Sequence, residues 1–185
     1  MNTIRQNVAT ITLALALFSP AARADYTGPR VYLSDSIVLP STSTGAPGTL
    51  RVPTAAERGQ KMSFSVSLKM RNLDSLNARL AEGQHISQDD METNYLPALS
   101  DYEAMVSWIL SQGFTIAQED SNHTTILATG TIAQLQEAFG VTFAMINTAN
   151  GELPCGITPP LLPEELARFT LSVSGLQPVF EVQGG

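Results

Sequence analysis

The chain has 185 residues, of which 43% are hydrophobic, 15% charged and 6% aromatic; that is too apolar for a disordered chain, and the length suits one domain with tails. Its 10 basic and 17 acidic residues give a net charge of −7, which argues against a nucleic-acid partner, because such binding needs a basic stripe. One Cys makes no internal disulfide and two His make no His-rich metal site, so neither a metal nor a cofactor is expected.

Residues 1–24 read as an export signal. Arg5 supplies the positive start, and Val8–Phe18 is an apolar stretch too short to span a bilayer with ease. Pro20 breaks that stretch, and Ala22-Arg23-Ala24 has the small-x-small pattern read by a signal peptidase. Cleavage after Ala24 is expected; the competing reading is an N-terminal anchor helix. Removal of Arg5 and Arg23 leaves 8 basic against 17 acidic residues, a net −9 over 161 residues. The expected product is periplasmic or extracellular, with no membrane contact once the signal is gone. Cys155 then lies in an oxidising compartment, as a shielded loop thiol in preference to an intermolecular disulfide.

Residues 25–60 form a leader rich in Pro, Gly, Ser and Thr, with one strand expected near Val31–Leu39. The pattern sharpens at Met62, Phe64, Val66, Leu68 and Met70, which alternate with Ser63, Ser65, Ser67 and Lys69; a period of two predicts a strand with one buried face. Asn72 is placed to cap a helix over Leu73–Glu82, with Leu73, Leu76 and Leu80 on one stripe and Gly83 at its stop. Ser87-Gln88-Asp89-Asp90 predicts a short capped turn, ended by Pro97. Ser100-Asp101-Tyr102-Glu103 reads as a capping box for a helix carrying Tyr102, Met105, Val106, Ile109 and Leu110, closed by Gly113. Trp108, on that helix, is expected at the edge of the core.

Strands are predicted over Phe114–Glu119 and Thr124–Thr129, separated by Asp120-Ser121-Asn122. Thr131 caps a helix over Ile132–Phe139 that Gly140 ends. Val141–Ile146 is the last predicted strand, followed by an Asn150-Gly151 hairpin turn. This order predicts an α+β fold: a ferredoxin-like split β-α-β sandwich with a four-stranded antiparallel sheet and its helices on one face. The expected division is a signal over 1–24, a leader over 25–60, a core over 61–150 and a closing segment with tail over 151–185. The second sheet face has no helix of its own and must meet water or a partner.

Catalytic patterns are missing. There is no Gly-x-Ser-x-Gly elbow and no Gly-rich phosphate loop around Gly130, and Ser174-Gly175 has no His near it in sequence. His85 and His123 fall in polar loops as solvated residues, and Asp89, Asp90 and Glu92 read as the acidic start of a short helix. Asn122-His123-Thr124 matches a glycosylation sequon, which matters only in a eukaryotic secretory host. No catalytic, cofactor-binding or metal-binding residue is assigned.

Several stretches, taken in order, resemble the pro-kumamolisin activation domain, the prosegment of the sedolisin or serine-carboxyl peptidases. They are Phe64–Lys69 with Leu73 and Leu80, Gly83–Ser87, and Val106–Ile116. Thr129–Gly140 is the most specific stretch, and Pro163–Ala167 with Val173–Leu176 matches the segment that closes the prodomain. The likeness covers residues 58–178. It implies a ferredoxin-like prodomain that assists folding of a peptidase, covers its cleft and is removed at acid pH. The family's Ser nucleophile, Glu–Asp pair and calcium site belong to a peptidase domain, so none is carried over to a position here, and this chain is expected not to be an enzyme itself. The implied partner is a sedolisin-type catalytic domain, in trans or lost in cis, which the chain binds, inhibits or helps to fold. Leu176, Pro178, Val179 and Phe180, in the extended tail, are the candidate partner-binding residues, laid along a cleft as a substrate mimic. The alternatives are a remnant of a longer sedolisin propeptidase and a generic exported ferredoxin-like binding module.

Overall fold

A computed structural model describes residues 26, 28–33, 50–148 and 151–177. The signal segment, residues 34–49 and the tail from 178 onward lie outside the described residues, as does Asn150 of the predicted turn. Of the strand expected near Val31–Leu39, the described part is β1, Arg30–Tyr32. A short helix, α1, spans Ala55–Arg58, with Thr54 and Glu57 closing a capping box.

The alternating segment is β2, Lys61–Leu68, and it buries Phe64, Val66 and Leu68 while its Ser residues face away. The helix α2 covers Leu73–Ala81. Asn72 adopts a left-handed conformation there and does not cap it; its side chain donates instead to the carbonyl of Asn94 at 2.9 Å. Of the predicted α2 stripe only Leu76 is buried, with Leu73 and Leu80 half-exposed. Ser87 caps the turn α3, Gln88–Asp90, which runs into a π-helical turn over Met91–Tyr95. The long helix α4, Leu99–Ser111, begins one residue before the predicted box. Ala98 is its cap and no side chain bonds there, because the backbone N–H groups of Asp101 and Tyr102 already meet the Ala98 carbonyl. Trp108 is inside the core, not at its edge.

Two strands follow, β3 over Thr115–Glu119 and β4 over Thr125–Thr131. The helix α5, Ile132–Phe139, starts at a complete capping box between Thr131 and Gln134 and ends at Gly140. Gln134 also donates to the Gly113 carbonyl at 2.9 Å, tying the start of α5 to the end of α4. After it come β5 over Phe143–Thr148, β6 over Gly151–Gly156, β7 over Leu161–Pro163, the turn α6 over Glu164–Ala167 and β8 over Thr170–Ser174.

The main sheet is antiparallel with the order β3-β4-β2-β8. Numbered along the chain, its strands stand 2-3-1-4, which is the ferredoxin-like order. One expectation is corrected. The fourth strand is β8, whereas Val141–Ile146 contributes to the β5–β6 hairpin, a separate two-stranded sheet. The physical reason is that Val141 and Phe143 turn their side chains into the core from the flank, while Val173 pairs with Val66 on the inner sheet face.

The core lies between this sheet and the two long helices. Phe64, Val66, Ile126, Ala128 and Val173 meet Met105, Trp108 and Ile109 of α4 and Ile132, Leu135 and Phe139 of α5. Four aromatic rings hold its centre. Phe139 stands 5.4 Å from Phe64, 5.3 Å from Trp108 and 5.9 Å from Phe114, and Phe64 meets Phe114 edge-on at 4.8 Å. Gly130 makes room for this group: a Cβ there would fall 2.2 Å from Phe114 Cδ1. The Gly that looked like part of a failed phosphate loop is therefore a packing position.

Candidate functional site

Strand alternation sends every second residue of the sheet to the face opposite the helices, and cross-strand partners share that face. On β2 these are Lys61, Ser63, Ser65 and Ser67. Their β4 partners are Thr131, Thr129, Leu127 and Thr125. On β8, Ser174 and Ser172 oppose Ser65 and Ser67, and on β3, Thr115 and Gln118 oppose Thr129 and Leu127. All of these residues are exposed or half-exposed. The described part of the chain thus leaves one sheet face open. It is lined with hydroxyls, including a Ser65 Oγ to Ser174 Oγ contact of 3.3 Å.

That Ser174 neighbour is another hydroxyl, so no general base activates it. His85 is exposed, and His123 is half-exposed in its loop, packed on one side. Its ring lies 4.9 Å from the Tyr102 ring, with its backbone in the left-handed region at φ 58°. The acidic cluster is likewise structural: Asp90 accepts from Arg79 Nη1 at 2.6 Å and from Asn94 Nδ2 at 2.8 Å. These bonds, that from Asn94 foremost, hold its carboxyl below the usual range. Among the described residues no group of three or more His, Cys, Asp or Glu gathers as a metal site, and no helix is long and apolar enough to cross a membrane. Cys155 lies in β6, not in a loop, and is fully buried; desolvation pushes its thiol up to about 11.

A second feature flanks the sheet. Arg51 pairs through its backbone with Met145 and clasps two carboxylates with its guanidinium. Glu57 of α1 accepts at 2.6 and 2.8 Å, and Glu152 of β6 accepts at the Nη2 and, at 3.1 Å, the Nε side. The Arg51 bonds, aided by the Thr54 backbone N–H, bring the Glu57 carboxyl down to about 2. Glu152 is lowered by Arg51 as well. Sequence patterning gives no sign of this clasp: Glu57 is six positions from Arg51 but in no helical register with it, and Glu152 is 101 positions away.

Of the tail residues proposed to touch a partner, Leu176 is 5% exposed and packs into the core, while its carbonyl accepts from the Gly156 N–H at 2.7 Å. Its side chain is used inside the domain. Pro178, Val179 and Phe180 lie outside the described residues.

Comparison with known proteins gives a family. The model described as Pro-kumamolisin, activation domain, matches residues 50–179. Xanthomonalisin of Xanthomonas sp. (strain T-22) is 24% identical over 207 residues, an alignment that covers 95% of this chain and 25% of that protein. The chain therefore spans about a quarter of the length of this relative. What is matched is an activation domain of a peptidase precursor and not a catalytic domain.

Proposed function

The chain belongs to the pro-kumamolisin activation domain family, and on that footing we propose that it is an exported prosegment that docks on a sedolisin-type serine peptidase domain, inhibiting it and assisting its folding. One observation carries the reading: the family match coincides with a sandwich whose second sheet face is left open by the described residues. Such a face is a preformed surface; an antiparallel sheet can leave it to water, and the family match is what favours a protein partner here. Leu176, packed in the core, gives any segment that follows it a fixed origin, which suits an extended stretch laid along a cleft.

The size of the face sets a further requirement. Four strands about 4.8 Å apart and about six residues long on average present roughly 400 Å² in projection. A standard interface buries about 800 Å² per partner, so the face supplies around half and the tail or the flanking loops must add the rest.

The test is an activity and refolding assay with a separately produced sedolisin catalytic domain. The expected result is saturable inhibition at one chain per peptidase and a higher refolding yield when the chain is present. A peptidase that is neither inhibited nor helped to refold, at neutral or acid pH, contradicts the proposal. A chain that instead retains a small ligand from the exported fraction and no peptidase would favour the generic binding module.

A further inference from the structure

We infer that Leu127 is the residue by which this domain selects its peptidase: the side chain at the centre of a hydroxyl-lined sheet face, received by an apolar socket on the partner. The inference rests on the docking proposed above. Three observations support it.

The first is placement. The strand β4 is interior to the sheet, and Leu127 is paired with Ser65 on one side and Gln118 on the other. Thr125 and Thr129 flank it along its own strand. Its neighbours end at a hydroxyl one bond beyond Cβ, except Gln118, so Leu127 stands above them and is the first apolar group a docking surface meets. It is 37% exposed, and among the described residues it is the only apolar side chain paired in register on that face. Leu171, which is also exposed, sits at the β8 irregularity on the sheet edge.

The second is charge. On a chain with 17 acidic residues, the described side chains of this face include no carboxylate, and Lys61, at the start of β2, is its one charged member. The helical side carries Asp74, Arg79, Asp101 and Glu103. With no carboxylate to strip of water, this face costs less to cover than the charged helical side would.

The third decides the occupant. Two copies of this chain, each at net −7, would repel on approach. The matched model is an activation domain and this chain spans only 25% of the matched relative, which favours the peptidase part of such a precursor as the occupant. A central anchor in a fully desolvated pocket contributes about 2 kcal/mol or more, which is about 30-fold in affinity.

The experiment measures the dissociation constant of the full chain and three variants for a sedolisin catalytic domain. Leu127→Thr continues the hydroxyl pattern of Thr125 and Thr129 and suits a strand, so its melting temperature should stay close to that of the parent. It should bind about 30-fold more weakly. Leu127→Met should retain affinity, and Leu110→Asp, on the exposed side of α4, should be unchanged. Equal affinity for Leu127→Thr and the parent overturns the inference while leaving the docking proposal standing. A parent chain that binds no sedolisin domain overturns both. Concentration-dependent self-association that Leu127→Thr abolishes would assign the face to a second copy and overturn the inference as well.

Discussion

Single side chains show where the sequence speaks plainly and where it does not. Phe64, Val66 and Leu68 were assigned to a buried face from alternation alone, and all three are buried. Gly130 could not be understood that way, because the atom it makes room for belongs to Phe114, on a neighbouring strand's approach. Adding one methyl there requires the four-ring cluster to shift. Gly130→Ala should therefore cost about 1–3 kcal/mol in chemical denaturation, the usual range for overpacking a core. Combining it with Phe114→Leu, which removes the opposing ring edge, should recover part of that loss. A single variant as stable as the parent would mean that the cluster is loosely packed. Leu176 was placed with the tail that touches a partner, and it is buried with the core. Local sequence shows an apolar residue after Gly175 but not which surface receives it.

Individual elements were legible where local chemistry determines them. The Thr131 cap and the Gly140 stop of α5 follow from neighbouring residues and are present, Gln134 completing the cap as a box. The cap of α4 was misplaced by two residues, since the Ser100-to-Glu103 spacing competes with a backbone start at Ala98 that needs no side chain. The identity of the fourth strand was misread for a different reason. Val141–Ile146 and Thr170–Ser174 are both credible strands, and only long-range pairing with β2 decides between them. The Arg51 clasp is also long-range, and it has a pH signature. Both of its carboxyls are lowered in the folded state, Glu57 to about 2 from an ordinary 4.5. Stability from such groups is present above their unfolded values and is lost as pH falls through their folded values. Glu152 lacks the Thr54 bonds that Glu57 also receives, so it should release first on acidification, leaving the hairpin tied to this segment by the Arg51–Met145 backbone bonds alone. Carboxyl-carbon NMR titration should show both groups titrating below the ordinary Glu range, with Glu57 the lower. In Arg51→Met both should move up. A titration unchanged by that substitution would show that the clasp does not hold these carboxylates.

On the scale of the molecule, composition gives an acidic chain and the order of elements gives an α+β sandwich with an open sheet face; the fold agrees with the second. Neither foresees that the open face is nearly free of charge. Net charge is a sum over the chain, whereas the neutrality of one face depends on which residues the register brings together. Ser63, Ser65 and Ser67 looked like the polar half of an alternation; beside Leu127, Thr129 and Ser174 they become a continuous surface. The account predicts that this surface, and not the helical one, meets the peptidase. The most direct measurement is amide cross-saturation on the isotope-labelled chain in complex with an unlabelled sedolisin catalytic domain. Saturation should concentrate on β2, β4 and β8, with Leu127 at its centre. Saturation confined to α4 and α5, with the sheet untouched, would contradict the account.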